Sequence, residues 1–209
     1  MENRTCCAIL VAAGSSSRMG GTRSKQFLPL LGKPAIAYTL RAFERASSVS
    51  EIILVARPED FEELRAIAGR EGIRKLRKIV PGGKSRQESV FNGVEQAGDA
   101  GYFAIHDGAR PLVTAEVIAR TLESAKKYGS GVAAVPLKDT VKRVNEGGVV
   151  VDTPPRDALR AVQTPQTFEA ELIRRAHAAY ALGERATDDA ALAERMGVKV
   201  RLTEGDVEN

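Results

Sequence analysis

The chain has 209 residues, of which 43% are hydrophobic, and its 31 lysines and arginines against 27 acidic residues give a net charge of +4. That length and apolar content suffice to bury one substantial core, so we predict a single domain over residues 1–209. The charge suits a small anionic ligand but is far below the density typical of nucleic-acid-binding domains, and no apolar run approaches the roughly 20 residues that cross a bilayer. We therefore expect no nucleic-acid partner and no membrane association. Because the N-terminus MENRTCC lacks the profile of an export signal, we also expect a cytoplasmic location.

Short apolar runs alternate with amphipathic stretches along most of the chain. The runs lack the alternation of half-exposed strands, which is typical of strands covered on both faces. Candidate strands are CCAILVA from Cys6, Glu51–Ala56, Lys78–Val80, Tyr102–His106, Gly131–Leu137 and Val198–Leu202. Candidate helices are AIAYTLRAFERA, PEDFEELRAIAGR, SRQESVFNGVEQA, TAEVIARTLESAKKYG and EAELIRRAHAAYAL. The alternation predicts an α/β fold with a Rossmann-like, mostly parallel twisted sheet, helices on both of its faces, and ligands at the carboxyl ends of its strands.

The two cysteines are adjacent, at Cys6 and Cys7, inside the first apolar run. Neighbouring side chains of a strand point to opposite faces, so these two thiols cannot easily form a disulfide. We predict that both are reduced core residues.

One segment interrupts the alternation. TVKRV (140–144) and VVVDT (149–153) flank the turn NEGG and predict a β-hairpin, and the proline-rich PPRDALRAVQTPQTF that follows is too long for an ordinary connection. Because an isolated hairpin is marginal in water, this excursion must pack on its own domain or on a second copy of the chain. We favour a protruding β-arm at about 138–163 that forms a homodimer.

The first predicted strand ends in a loop of small residues, hydroxyls and cations, within ILVAAGSSSRMGGTRSKQF. Small side chains let the backbone N–H groups of a turn approach a phosphate closely, and hydroxyls and cations add further donors. The candidates are the small Ala12, Ala13 and Gly14, the hydroxyl-bearing Ser15 and Ser16, and the cationic Arg18 and Lys25. Because the loop follows the first strand, we favour a triphosphate-binding loop over a solvated surface turn.

Two better-known phosphate motifs do not match this chain. The dinucleotide pattern G-x-G-x-x-G fails because Ser16 stands at its second glycine position, and VPGGKSRQES fails as a P-loop because Lys78 stands at its leading glycine position. In this second loop, Gly83 still permits a tight turn, and Arg86 and Ser89 begin the next predicted helix, where they can contact a base or ribose. A plain strand-to-helix turn explains the segment almost as well.

AIHDGARPLV ends another predicted strand with Asp107, and Arg110 follows closely. A carboxylate that faces a phosphate-binding loop can hold Mg²⁺ between nucleotide phosphates, so Asp107 is the metal candidate and Arg110 a candidate substrate contact. A turn cap, or an ion pair with Arg110, is the alternative. His106 is a lone histidine at a strand end, which is more typical of a core residue than of a catalyst, and His177 lies in a predicted helix with no partner in view; neither is given a catalytic role.

Several motifs together resemble one enzyme family. LVAAGSSSRMGGTRSKQFLPLLGKP is similar to the L-x-A-A-G-x-x-x-R-M…K-Q signature of nucleotidyltransferases, and VPGGKSRQESV, HDGARP, KDTVKR and TPQTF follow in that order. The set resembles the 2-C-methyl-D-erythritol 4-phosphate cytidylyltransferase family over essentially the whole chain. The resemblance implies transfer of CMP from CTP to that sugar-alcohol phosphate, with release of pyrophosphate, in non-mevalonate isoprenoid synthesis.

The resemblance also implies roles for individual residues. Arg18 and Lys25 would stabilise the transition state, and Asp107 would hold Mg²⁺. The triphosphate would be lined by Ala12, Ala13 and Gly14, and the cytidine would be contacted by Gly83 and Ser89. The arm, with Thr140 and Arg156, would reach into the neighbouring subunit, where Arg156 would position the acceptor phosphate; Thr164 and Thr187 are weaker candidates nearby.

Two departures from the family pattern leave alternatives open. Lys84 stands where some relatives have an acidic residue, and the sequence ends at TEGDVEN, before the family's N-x-K-x-T-x-P-x-D segment with its phosphate-positioning lysine. Either a C-terminal tail follows, or the chain is truncated and binds CTP better than it converts it. A cytidylyltransferase for ribitol or another pentitol phosphate and a non-catalytic nucleotide-binding module are the alternative functions.

Overall fold

The computed structural model describes residues 5–14, 24–179 and 186–209, and no helix within these ranges is long and apolar enough to cross a membrane. The strands are β1 (Cys6–Val11), β2 (Pro29–Leu30), β3 (Lys33–Pro34), β4 (Glu51–Ala56), β5 (Leu76–Pro81), β6 (Tyr102–Asp107), β7 (Ser130–Pro136), β8 (Arg143–Val144), β9 (Val150–Asp152), β10 (Arg160–Glu169) and β11 (Leu202–Glu204). The helices are α1 (Ala35–Arg45), α2 (Phe61–Arg70), α3 (Arg86–Gln96), α4 (Ala115–Tyr128), α5 (Ala170–Ala179) and α6 (Asp189–Arg195).

Seven of the strands form one sheet, in the order β11-β7-β10-β6-β1-β4-β5. β1 pairs in parallel with β4 on one side and with β6 on the other, while β10 runs antiparallel to both β6 and β7. The chain moves outward from β1 through β4 and β5 and then returns to place β6 on the other side of β1. Such a reversal opens a crevice at the carboxyl end of the central strand, where ligands bind. The predicted mostly parallel, Rossmann-like sheet is confirmed.

Helices cover both faces of this sheet. α1, α2 and α4 pack on one face over side chains such as Leu10 and Leu54, and α3, α5 and α6 pack on the other over Ile9 and Phe103. Cys6 and Cys7 are both buried and unbonded, one in each of these layers. Burial raises the pKa of Cys6 to about 12, so its thiol stays protonated. The prediction of two reduced core cysteines is confirmed.

Two strands differ from the sequence-based predictions. β10, whose sequence was assigned to the excursion after the hairpin, lies inside the main sheet although it contains Pro165. Its pairing with β7 shifts register between Val162 and Gln166, so the proline, which has no N–H, falls where the ladder is interrupted. The strand predicted at 198–202 was placed too early, since pairing with β7 begins only at Leu202. The short helix α6 was not predicted.

The predicted hairpin is confirmed as an antiparallel pair, β8 and β9, that is separate from the main sheet. The side-chain oxygen of Asn145 accepts hydrogen bonds from the backbone N–H groups of Gly147 at 3.1 Å and Val149 at 3.0 Å, and Gly148 has a φ of 77°. These features build its tight turn. Its apolar side chains, Val144, Val149, Val150 and Val151, are exposed. Whether this hairpin forms a dimer stays a prediction.

Candidate active site

A cavity of about 550 Å³ lies at the carboxyl ends of β1 and β6. Its lining brings together candidates from three separate sequence motifs. These are Ala12, Ala13, Gly14, Lys25, Gly83, Ser89 and Asp107. Three other candidates, Ser15, Ser16 and Arg18, lie outside the described residues. A wider groove of about 820 Å³ along the edge strand β5 contains none of the predicted site residues, so we take the smaller cavity as the candidate site.

The first wall of the pocket is the turn that leaves β1. The backbone N–H of Ala12 donates to the carbonyl of Val55 at 2.7 Å, and the Ala12 carbonyl accepts a hydrogen bond from the buried side chain of Gln26, also at 2.7 Å. Gln26 belongs to a short 3-10 helix, Lys25–Phe27. The Gln26 bond therefore attaches the helical turn that carries Lys25 to the end of β1. The sequence alone assigns no role to Gln26, because the Ala12 carbonyl that its side chain binds is 14 positions away and becomes a neighbour only on folding.

The second wall is the turn between β5 and α3. The buried hydroxyl of Ser89 accepts a hydrogen bond from the Gly83 N–H at 3.0 Å and donates to the carbonyl of Ser85 at 2.8 Å, which holds the turn against the start of the helix. A Cβ atom at Gly82 would collide with the Cβ of Ala13 in the first wall. Glycine at this position is what allows the two turns to touch and form one continuous surface. The predicted contacts of Gly83 and Ser89 with cytidine stay predictions.

Asp107 forms the third wall, at the end of β6 and directly beside Val11 in the parallel register with β1. Its backbone N–H donates to the hydroxyl of Thr164 at 3.2 Å. Its carboxylate receives the Nε–H groups of two arginines: Oδ1 lies 3.1 Å from Arg86 and Oδ2 lies 3.5 Å from Arg110. The pairing with Arg110 was one of the alternatives drawn from the sequence. The pocket side of β6 therefore presents one carboxylate held between two guanidinium groups.

His106 lies behind this wall and is completely buried. Its Nε2 lies 3.2 Å from the carbonyl of Arg110, which can only accept, so Nε2 carries the proton. Its Nδ1 then accepts from the Thr164 hydroxyl, 2.9 Å away. Burial lowers the pKa of His106 to about 4, which keeps the ring neutral. His106 was given no catalytic role from the sequence; in the structure its ring links both ends of the Asp107–Arg110 turn.

A second carboxylate lies deeper, behind Arg86. Asp189, which is only 1% exposed, accepts a hydrogen bond from Nη1 of Arg86 at 2.7 Å through one oxygen. Its other oxygen lies 3.0 Å from Nε2 of the buried His177. Burial favours the neutral acid, but the charge of Arg86 and the bond from His177 outweigh it and hold the pKa of Asp189 below its usual range. Neither Asp189 nor the partner of His177 could be predicted from the sequence, because the two bonds join residues that are 103 and 12 positions apart on different helices.

The charges of the pocket favour an anionic ligand. Its lining includes three cations, Lys25, Lys84 and Arg86, and one carboxylate, Asp107. The described residues contain no group of three His, Cys, Asp or Glu side chains placed to hold a metal ion. Mg²⁺, however, is commonly bound through one or two carboxylates, with water and substrate phosphates completing its coordination. The donor set therefore fits a magnesium ion that arrives with a phosphate-bearing substrate.

The remaining predicted site residues do not line this pocket. Thr140 and Arg156 are exposed near the base of the hairpin, where Nη1 of Arg156 donates to the Lys138 carbonyl at 2.9 Å. Thr187 is exposed and precedes α6. Thr164 is buried beneath Asp107, as described above. The three exposed candidates for binding the acceptor, Thr140, Arg156 and Thr187, are therefore absent from the lining of the pocket.

Comparison with known proteins identifies the family. The model for 2-C-methyl-D-erythritol 4-phosphate cytidylyltransferase, IspD, matches residues 6–209. The chain is 45% identical over 205 residues to the protein of that name from Caldanaerobacter subterraneus, covering 97% of this chain and 90% of the relative. It also superposes on the crystal structure of 4-diphosphocytidyl-2C-methyl-D-erythritol synthase from Anaerococcus prevotii with a TM-score of 0.87 at 29% identity, covering 99% of this chain and 91% of the other. For 2-C-methyl-D-erythritol 4-phosphate cytidylyltransferase from Thermus thermophilus the TM-score is 0.77 at 32% identity, covering 96% and 89%. The family model, the sequence identities and the superpositions all point to one family: the chain belongs to the 2-C-methyl-D-erythritol 4-phosphate cytidylyltransferase family.

Proposed function

We propose that this chain transfers CMP from CTP to 2-C-methyl-D-erythritol 4-phosphate, giving 4-diphosphocytidyl-2-C-methyl-D-erythritol and pyrophosphate, a step of non-mevalonate isoprenoid precursor synthesis. Family membership supports the substrates. The single structural observation that carries the chemistry is the pocket in which the small-residue turn after β1, the cation Lys25 and the carboxylate Asp107 meet. A triphosphate needs this combination of close backbone donors, positive charge and a metal-binding oxygen.

The reaction asks the protein mainly for alignment and charge neutralisation. A phosphate oxygen of the acceptor attacks the α-phosphorus of CTP in line, a new P–O bond forms, and the bond to the leaving pyrophosphate breaks. No general base is needed, because a phosphate monoester has a second pKa of about 6 and is already largely ionised at neutral pH. Lys25 and Arg18 stabilise the negative charge that builds up on the transferring phosphoryl group and on pyrophosphate.

The other ligand contacts follow from the pocket lining. Ala12, Ala13 and Gly14, with the hydroxyls of Ser15 and Ser16, bind the triphosphate, and the turn of Gly83 and Ser89 receives the cytidine. Asp107 would hold Mg²⁺, which when bound would supply positive charge that neutralises the phosphates. Arg110, whose Nε–H lies 3.5 Å from Asp107, keeps that carboxylate turned towards the pocket.

We also propose that the acceptor site is completed across a homodimer. Arg156 and Thr140 lie near the base of the hairpin and outside their own pocket, and the hairpin exposes the valines 144, 149, 150 and 151. An exposed apolar cluster of this kind is typical of a protein interface. Arg156 of one subunit then binds the acceptor phosphate at the pocket of the other, with the exposed Thr187 beside it, while the buried Thr164 acts only through Asp107.

Pyrophosphate release tests the reaction. Purified protein is supplied with CTP and Mg²⁺ together with 2-C-methyl-D-erythritol 4-phosphate or with ribitol 5-phosphate, each also with ATP, GTP or UTP in place of CTP. We expect release with CTP and the methylerythritol acceptor. Preferred turnover of ribitol 5-phosphate would contradict the assigned acceptor, and tight CTP binding without release under any combination would contradict an enzymatic function.

Light scattering coupled to size exclusion tests the dimer. We expect the mass of two chains for the wild type and of one chain for Val149→Asp/Val151→Asp. Lys127→Asp, a substitution on α4 outside the hairpin, is the control for added negative charge. A wild-type chain that elutes as a monomer at all concentrations would contradict the dimer.

A further inference from the structure

We propose that Asp189 is a positioning residue for the nucleotide: it holds the guanidinium of Arg86 in the wall of the pocket, and His177 holds Asp189 from behind. The inference rests on the proposed function, in which this pocket binds a nucleoside triphosphate. It adds to that function three linked residues, the half-buried Arg86 and the buried Asp189 and His177, none of which carries a role in the reaction as proposed above.

The contacts link His177 and Asp189 in the core to Arg86 at the pocket. His177 lies on α5, Asp189 begins α6, and Arg86 begins α3, so three separate helices supply the three members. Nε2 of His177 lies 3.0 Å from Oδ1 of Asp189, and Nη1 of Arg86 lies 2.7 Å from Oδ2 of the same carboxylate. Arg86 lines the pocket, whereas the other two residues are absent from its lining.

The two carboxylates that hold Arg86 are not equivalent. The side chain of Asp107 is 36% exposed and that of Asp189 is 1% exposed. An exposed carboxylate can exchange one cation for another or for water, but a buried one that loses its partner is left as an uncompensated charge. Arg86 can therefore release Asp107 when that carboxylate binds something else, while Asp189 keeps the guanidinium in place.

A guanidinium held in this way is suited to phosphate oxygens. The bonds from Nε to Asp107 and from Nη1 to Asp189 involve two of the five N–H groups of Arg86. The planar group offers its other donors in a fixed direction, which favours two-point recognition of a phosphate. Because Asp189 fixes this direction before the ligand arrives, little side-chain freedom is lost on binding.

Calorimetric titration of CTP with Mg²⁺, without an acceptor, tests the inference. Asp189→Asn keeps the size of the side chain and removes its charge, and we expect it to weaken CTP binding roughly tenfold. In an Arg86→Met background the same substitution should change CTP affinity less than about twofold, because the residue through which it acts is gone. The KM for the acceptor phosphate should stay unchanged in Asp189→Asn while the KM for CTP rises.

Asp60→Asn is the matched control. Asp60 is also buried and also paired with an arginine, with both of its oxygens 2.9 Å from Arg57, but neither residue lines the pocket. It should bind CTP as the wild type does. Wild-type CTP affinity in folded Asp189→Asn, or an equal loss with and without Arg86, would overturn the inference.

A second pair of variants serves if Asp189→Asn does not fold. His177→Leu removes the hydrogen bond to Asp189 and should weaken CTP binding roughly threefold, while His177→Gln, whose amide N–H can replace Nε2, should restore it. Equal affinity of both variants and the wild type would overturn the inference.

The wild-type protein distinguishes failure of this inference from failure of the proposed function. If it binds CTP but releases no pyrophosphate, only the proposed function is contradicted, because the binding titrations still test the role of Asp189. If it does not bind CTP, both are overturned.

Discussion

The hydroxyl of Thr164 bridges the side chain of His106 and the backbone of Asp107. It donates to Nδ1 of the ring at 2.9 Å and accepts from the Asp107 N–H at 3.2 Å. Since Nε2 of the same ring bonds to the carbonyl of Arg110, one buried histidine and one hydroxyl hold both ends of the turn that carries the pocket carboxylate. The position of Asp107 is therefore set by a strand, β10, that is antiparallel to its own.

Thr164→Val should destabilise the protein by about 2 kcal/mol. The substitution keeps the shape of the side chain but leaves the buried ring nitrogen of His106 and the partly buried N–H of Asp107 without their partner. Urea unfolding followed by circular dichroism measures the loss. Thr153→Val, at an exposed threonine that accepts a hydrogen bond from Lys142, is the control and should change the stability by less than about 0.5 kcal/mol. Equal effects of the two variants would show that the bridge contributes nothing.

Stability should fall as the pH drops from about 6.5 towards about 4. His106 is neutral in the folded protein, where burial lowers its pKa to about 4, whereas an unfolded histidine has a pKa of about 6.5. Protonation therefore favours the unfolded chain, and the contribution of His106 is complete above the unfolded pKa and is lost as the pH approaches the folded one. The total is at most about 3 kcal/mol. Urea unfolding at a series of pH values should show this slope, and the slope should be shallower in His106→Asn; the same slope in both proteins would contradict the assignment.

Lys25→Ala should reduce pyrophosphate release by about a hundred- to a thousandfold without unfolding the protein, because a well-aimed donor to the developing charge is lost. We expect the same of Arg18→Ala. Lys33→Ala, which removes a lysine paired with Glu71 at 2.9 Å outside the pocket, is the control and should retain near-normal turnover. Near-normal turnover of both purified Arg18→Ala and Lys25→Ala would refute the roles given to these cations.

Two helical glycines should respond in opposite directions to alanine. A Cβ atom at Gly93 would lie 2.7 Å from Ile9 and 2.8 Å from Val55, so Gly93→Ala should push α3 away from the sheet and cost about 1–3 kcal/mol. Gly69 on α2 has no atom within 4 Å of such a Cβ, so Gly69→Ala should stabilise the protein by up to about 1 kcal/mol. Thermal melts of the two variants measure the contrast. A melting temperature for Gly93→Ala at or above that of the wild type would contradict the close packing of α3.

Much of the fold could be predicted from local patterns. The buried strands β1, β4 and β6 appear as apolar runs, because a strand covered on both faces has no room for polar side chains. The grouping of Asp107 with the turn after β1 could also be predicted, but for a different reason. In a parallel sheet the residues that directly follow the strands lie at one edge, so the carboxyl ends of β1 and β6 are neighbours. β10 could not be predicted, because its sequence is polar and contains a proline, neither of which is typical of a central strand. Only its pairing with β6 on one side and β7 on the other makes it a strand.

What the sequence alone determined is therefore the mostly parallel α/β architecture and the meeting of the turn after β1, Lys25 and Asp107 at one end of the sheet, all of which depend on neighbours in the chain or on strand ends. What only the tertiary structure decided is how those groups are held. The bonds from Gln26 to Ala12, from Thr164 to His106 and from Arg86 to Asp189 join residues 14, 58 and 103 positions apart. No local pattern encodes such pairs, because a buried polar group needs a partner but its sequence does not say which distant element will supply one.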